Sequence, residues 1–90
     1  MLNDKTNAEQ RSLATIAREI ESDWGAKGKG VSPYARPYLD AMKSLHDISG
    51  NYYHDSNVSV VLYFLANAGA WRGDVARRVK AELKSMAGVS

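Results

Sequence analysis

The sequence predicts an all-α protein: a compact bundle of about four helices, with an apolar third helix at its centre. Three observations predict it. Apolar residues recur at helical spacing in several separate stretches, glycine or proline separates those stretches, and the run from Ser56 to Trp71 carries no charge at all. With 90 residues, 44% of them hydrophobic and 24% charged, the chain is too apolar to be disordered and of a length for one domain. A domain of that size buries roughly 60–65% of the surface of its unfolded chain, which leaves room for a single core.

The first element is carried by Leu13, Ile16, Ala17, Ile20 and Trp24, which recur at i, i+3, i+4, i+7 and i+11 and so share one stripe of a helix. Thr6 followed three residues later by Glu9 is a capping-box pattern, placing the helix from about Asn7 to Trp24. The "GAKGKG" stretch then stops it, because glycine costs helix stability and permits left-handed backbone.

The second element begins after Ser32-Pro33. A helix begun at Pro33 would need an N–H from Pro37, which has none, so the helix proper starts near Arg36 with Pro37 in its first turn, or "SPYAR" forms a turn of its own. Tyr38, Leu39, Met42, Leu45 and Ile48 or Ser49 supply its apolar face, and Gly50 is expected to close it.

"GNYYHDSN" reads as a second loop, in which Asp55 or Ser56 caps the third helix. Val58, Val60, Val61, Leu62, Tyr63, Phe64 and Leu65 are apolar all round, so a buried strand competes with a helix here. Apolar character persists to Trp71, about fourteen residues, which is long for a strand; a central helix touched on most sides is the expectation. The last helix starts near Gly73 or Asp74, whose carboxylate suits a helix N-terminus, and ends at Gly88. Val75, Val79, Leu83 and Met86 form its inner stripe, and Arg77, Arg78, Lys80 and Lys84 point elsewhere.

Several chemistries find no support. There is no cysteine, hence no disulfide framework and no thiolate metal site. His46 and His54 lie on different elements, with no further ligand set, so no metal and no cofactor is expected. The lysines and glycines of "GAKGKGVS" fail as a phosphate loop, because Gly30 is followed by Val31 and a helix precedes the segment. The serine, histidine and aspartate of "YYHDS" share one loop, which offers no rigid frame to hold a nucleophile against its base. The chain is therefore expected not to be an enzyme. No secretion signal or membrane-length apolar run is visible, and a cytoplasmic location is expected.

Charge and aromatic placement say more. Residues 1–50 hold seven basic and seven acidic residues, whereas residues 51–90 hold five basic and three acidic, all five bases lying between Arg72 and Lys84. Tyr38 and Tyr63 fall on apolar stripes and are expected in the core, while Tyr34, Tyr52 and Tyr53 sit in or beside loops. Tyrosine and arginine favour binding surfaces, so Tyr34, Arg36, Tyr52, Tyr53, His54, Arg72, Arg77 and Arg78 are the candidate partner-binding residues. Asn67 is expected to make a cap or loop-carbonyl bond, and Trp71 to anchor the core. The segment "AGAWRGDVARRVK" also admits a helix-turn-helix reading, in which Arg72, Arg77, Arg78, Lys80 and Lys84 meet nucleic acid. No serine, threonine, asparagine or glutamine accompanies them on the exposed face between Asp74 and Glu82.

"IAREIESDW", "PYLDAM", "DS" followed by "VLYFLANAGAWRG", and "ARRVKAEL" resemble, in that order, a group of small uncharacterised proteins carried by actinobacterial phages, prophages and plasmids. The pattern runs from Ile16 to Leu83, is most specific in "YFLANA" and "WRG", and is departed from in the glycine-lysine loop before Ser32. The resemblance implies the context of a mobile-element accessory protein in a host bacterium and carries over no catalytic residue. The expected function is a non-enzymatic protein–protein interaction module acting on a host or phage protein, or on a second copy of itself. The alternative is a DNA-binding protein using the basic C-terminal helix.

Overall fold

The computed structural model describes residues 11–89. Among these residues there are four helices, α1 (Leu13–Trp24), α2 (Arg36–Met42), α3 (Asn57–Ala66) and α4 (Asp74–Met86), with a two-stranded hairpin, β1 (Asn51–Tyr52) and β2 (Asp55–Ser56), between α2 and α3. The fold is thus mostly helical and not purely all-α. Between Gly50 and α3, where the sequence predicts a loop, the chain pairs with itself antiparallel, Asn51 opposite Ser56 and Tyr52 opposite Asp55.

All five stripe residues of α1 are buried. The helix starts at Leu13 rather than near Asn7: Ser12 has an extended backbone and its hydroxyl accepts the Thr15 amide. The Thr6/Glu9 capping box lies outside the described residues. The free amides of the first turn find distant partners, Leu13 donating to the His46 carbonyl at 2.7 Å and Ala14 to that of Leu45 at 3.0 Å.

That same pairing explains why α2 stops at Met42 and not at Gly50. The carbonyls of Leu45 and His46 are committed to α1, so they cannot continue a helix, and the Ser44 hydroxyl donates to the Ala41 carbonyl at the break. The start is as the prolines dictate, with α2 opening at Arg36, Pro37 in its first turn, and a separate turn over 33–35 before it.

Ser56 caps α3 by accepting the Ser59 amide. The helix ends at Ala66, ten residues rather than about fourteen, because the Asn67 side-chain amide donates to the Tyr63 carbonyl at 2.8 Å and its backbone leaves the helical region. Val60, Val61, Phe64 and Asn57 face inward. The opposite side is open: Leu62 is 37% and Tyr63 50% exposed, so α3 is not enclosed and Tyr63 is not a core residue. Tyr38 packs partly buried against the core, its ring 5.4 Å from that of Tyr63. Asn57 ties the hairpin down, its amide donating to the carbonyls of Asp47 (2.9 Å) and Ser49 (3.2 Å).

Gly73 precedes α4 with φ 112°, a backbone that side-chain-bearing residues rarely adopt, and a Cβ there would lie 2.8 Å from the Lys27 ammonium. Ala76, Val79 and Leu83 are buried on α4, with Val75 and Met86 half-buried beside them.

Candidate functional site

The bundle has two ends, set apart by the length of α3, about 15 Å for ten residues. At one end, α1 delivers Trp24 and Asp23, α3 delivers Phe64, and the segment between α3 and α4 delivers Trp71. Trp71 is wholly buried and stacks on Trp24 with ring centroids 5.8 Å apart and 10° between planes, while Phe64 meets both indoles edge-on. Its indole N–H donates to the Asp23 carboxylate at 2.9 Å. That bond, with the Lys27 ion pair at 3.0 Å, holds the Asp23 carboxyl below its ordinary range.

Two lysines then grip the backbone at this point. Lys27 donates to the Arg72 carbonyl at 2.9 Å, and Lys80 donates to the Trp71 carbonyl at 2.6 Å with its ammonium 5.8 Å from the Trp71 ring centroid. Burial, and then the nearby charges of Lys84 and Arg72, lower the pKa of Lys80. The glycine-lysine connector is therefore tied down through Lys27, although Gly28 and Gly30 take left-handed backbone in it.

Two adjoining clefts share Trp71 and Arg72. One, of about 300 Å³, is lined further by Gly73, Ala76, Arg77 and Lys80; the other, of about 210 Å³, by Trp24, Lys27, Gly28, Lys29, Gly30 and Ala70. Lys29, Arg72, Lys80 and Lys84 have no carboxylate partner among the described residues.

The two arginines of α4 each have a carboxylate partner. Arg78 reaches across to Glu19 on α1, and Arg77 pairs with Asp74 one turn back at 2.8 Å in full solvent. Arg36 is drawn in as well, bonding Glu21 at 2.5 Å and Asp40 at 3.1 Å, while Lys43 bonds Glu21 at 2.8 Å. First Arg36 and then Lys43 hold the Glu21 carboxyl down at about 2. Burial raises Glu19, but the hydrogen bonds from Arg11 and Arg78 outweigh it and its pKa is lowered.

At the opposite end, Tyr53 and His54 form the two-residue tip of the hairpin. Tyr53 is 85% exposed at φ 56°, its ring 4.7 Å from that of the half-buried Tyr52 and nearly perpendicular to it. Both histidines are exposed, and among the described residues no group of three His, Asp or Glu side chains is placed to hold a metal. Tyr34, 76% exposed, stands in the turn before α2.

The eight candidate partner-binding residues accordingly do not form one surface. Tyr52, Tyr53 and His54 belong to the hairpin end, Tyr34 to the turn before α2, Arg72 and Arg77 to the Trp71 end, and Arg36, Arg77 and Arg78 are engaged in ion pairs. Lys27 and Lys29, the lysines of the segment that fails as a phosphate loop, enter the Trp71 end although neither is among the candidates; Asp23 four residues before Lys27 is the signal for the first of them. Comparison of the chain with family models, with curated proteins and with solved structures finds no match. No helix of the described residues is long and apolar enough to cross a membrane.

Proposed function

We propose that this protein is a non-enzymatic binding module that docks on a protein partner through the tip of its hairpin, with Tyr53 as the anchor and Tyr52 and His54 beside it. The observation that supports it is the pairing of φ 56° with 85% exposure at Tyr53. Left-handed backbone at a residue other than glycine costs about 1–3 kcal/mol, and asparagine or glycine suits such a turn better. The edge-on contact with Tyr52 offsets about 0.5–1.5 kcal/mol of that cost, and the rest of the ring stands in solvent. An aromatic side chain held outward at the expense of local strain suits insertion into a partner's pocket, where a tyrosine contributes apolar area and a phenol at small entropic cost. The resemblance to phage and plasmid proteins supports a mobile-element accessory role in the host cytoplasm, with a host or phage protein, or a second copy of the chain, as partner.

The test is affinity capture with wild-type protein and Tyr53→Asn in parallel, alongside light scattering. A partner or self-association present in the wild type and lost in the variant supports the reading. Neither capture nor self-association in the wild type counts against it.

A second reading, a nucleic-acid-binding protein using the basic α4, is favoured by Arg72, Lys80 and Lys84 standing free of carboxylates among the described residues. The seven-residue stretch 67–73 between α3 and α4 is longer than the three- or four-residue turn of a helix-turn-helix, so insertion of α4 into a groove is the less favoured form of it.

A further inference from the structure

We infer that the paired clefts over Trp71 bind the phosphodiester backbone of a nucleic-acid duplex without reading its sequence, an inference that rests on the nucleic-acid reading and narrows it. Lys29 and Arg72 line one cleft, Arg72, Arg77 and Lys80 line the other, and Lys84 lies near enough to Lys80 to lower its pKa. Among these, only Arg77 has a carboxylate partner among the described residues. Lys80 is drawn into the protein toward a carbonyl and an indole ring, with two further cations as neighbours, so an anion in the cleft would relieve the repulsion.

The lining also narrows the class of anion. The exposed large apolar side chains, Tyr34, Tyr53, Leu62, Tyr63 and Val89, line neither cleft, and Trp71 is wholly covered. An unpaired base therefore finds no exposed ring to stack on, and a peptide finds none of these large side chains to pack an anchor against. No serine, threonine, asparagine or glutamine lines either cleft, which removes the hydroxyls and amides that read base edges. The arginines and lysines remain, and with Arg77 held by Asp74 and Lys27 by Asp23 they act chiefly as charge, which suits a chain of phosphates whose bases stay stacked inside a duplex. Lys27 and Lys80, by gripping the carbonyls of Arg72 and Trp71, fix the backbone from which Arg72 projects.

The test titrates the full chain against two labelled duplexes of about 20 base pairs with unrelated sequences, at about 50 and about 200 mM salt. The expected result is equal affinity for both, falling about 40- to 150-fold between the two salt concentrations, as three or four phosphate contacts require. Lys29→Ala with Arg72→Ala should weaken binding about tenfold or more and reduce the salt slope by about 2, whereas Arg18→Ala, an exposed cation outside both clefts, should leave both nearly unchanged. Circular dichroism confirms that the variants fold. Absence of binding at low salt overturns this inference and the nucleic-acid reading together. Binding that discriminates strongly between the duplexes, or that needs Arg18 and Arg78, which line neither cleft, and not Lys29 and Arg72, overturns the inference alone. Poly-glutamate displacing the duplex at equal charge concentration overturns the choice of ligand.

Discussion

At the Trp71 end, two stacked indoles, an edge-on phenylalanine, a half-buried carboxylate bond and two lysines on backbone carbonyls converge on one place. At the hairpin end, two strands of two residues each are held by Asn57, and the most exposed tyrosine of the described residues sits on left-handed backbone. The first end commits its aromatic residues to packing and leaves charge at the surface; the second leaves an aromatic ring at the surface over little packing. A ring contributes most to stability where it is enclosed and most to recognition where it is not, and this chain places rings in both ways.

Truncation separates the two ends most sharply. Trp71→Ala removes a fully buried indole and the bond to Asp23 and should cost about 3–5 kcal/mol, a large part of the stability of a domain this size, read as the urea midpoint or the thermal transition. Trp71→Phe keeps apolar bulk but leaves Asp23 with Lys27 alone, and a smaller loss is expected. Asn57→Ala should cost about 1–3 kcal/mol, because two loop carbonyls lose their donor, and amide exchange should quicken locally in the hairpin before it does so in α1 or α4. Equal quickening everywhere would erase the contrast between the ends.

Acid should weaken the bundle flank between α1 and α2. The Glu21 carboxyl sits at about 2 in the fold against an ordinary 4.5, so its ion pairs with Arg36 and Lys43 contribute fully above about pH 5. That contribution is lost as pH falls from about 4.5 toward 2. The denaturation midpoint of the wild type should drop across this window, and Glu21→Gln should flatten part of the drop. The smallest effect belongs to Tyr53→Asn, which should leave stability unchanged or raise it by up to about 1 kcal/mol while abolishing partner capture. A clear loss of stability instead would mean that the ring serves the hairpin and not a partner.

Much of the helical framework is legible in the residues. The Leu13-to-Trp24 stripe, the opening of α2 at Arg36, the Ser56 cap and the start of α4 at Asp74 all come from spacing or capping chemistry within a few positions. The errors share a cause. α1 begins late and α2 ends early because the Leu13 and Ala14 amides bond carbonyls some thirty residues away. Tyr63 lies on an apolar stripe and yet is half-exposed, because no element of the described residues covers that side of α3. The hairpin is hidden from sequence reasoning because its strands are two residues long and its tip holds neither glycine nor asparagine.

The candidate surfaces divide in the same way. That Trp71 would be an anchor and that Asn67 would make a cap or loop-carbonyl bond can be read from residue type and setting, and the structure bears out both. Which arginines stay available cannot: Arg78 meets Glu19 across 59 positions, and Arg36 meets Glu21 across 15. The sequence by itself determined where helices could form and which faces they would bury, because periodicity and capping act over a few residues. Only the tertiary structure decided where the helices end, which cations keep their charge uncompensated, and that Trp71 and Tyr53 stand at opposite ends, because those depend on pairings between distant residues that no local pattern encodes.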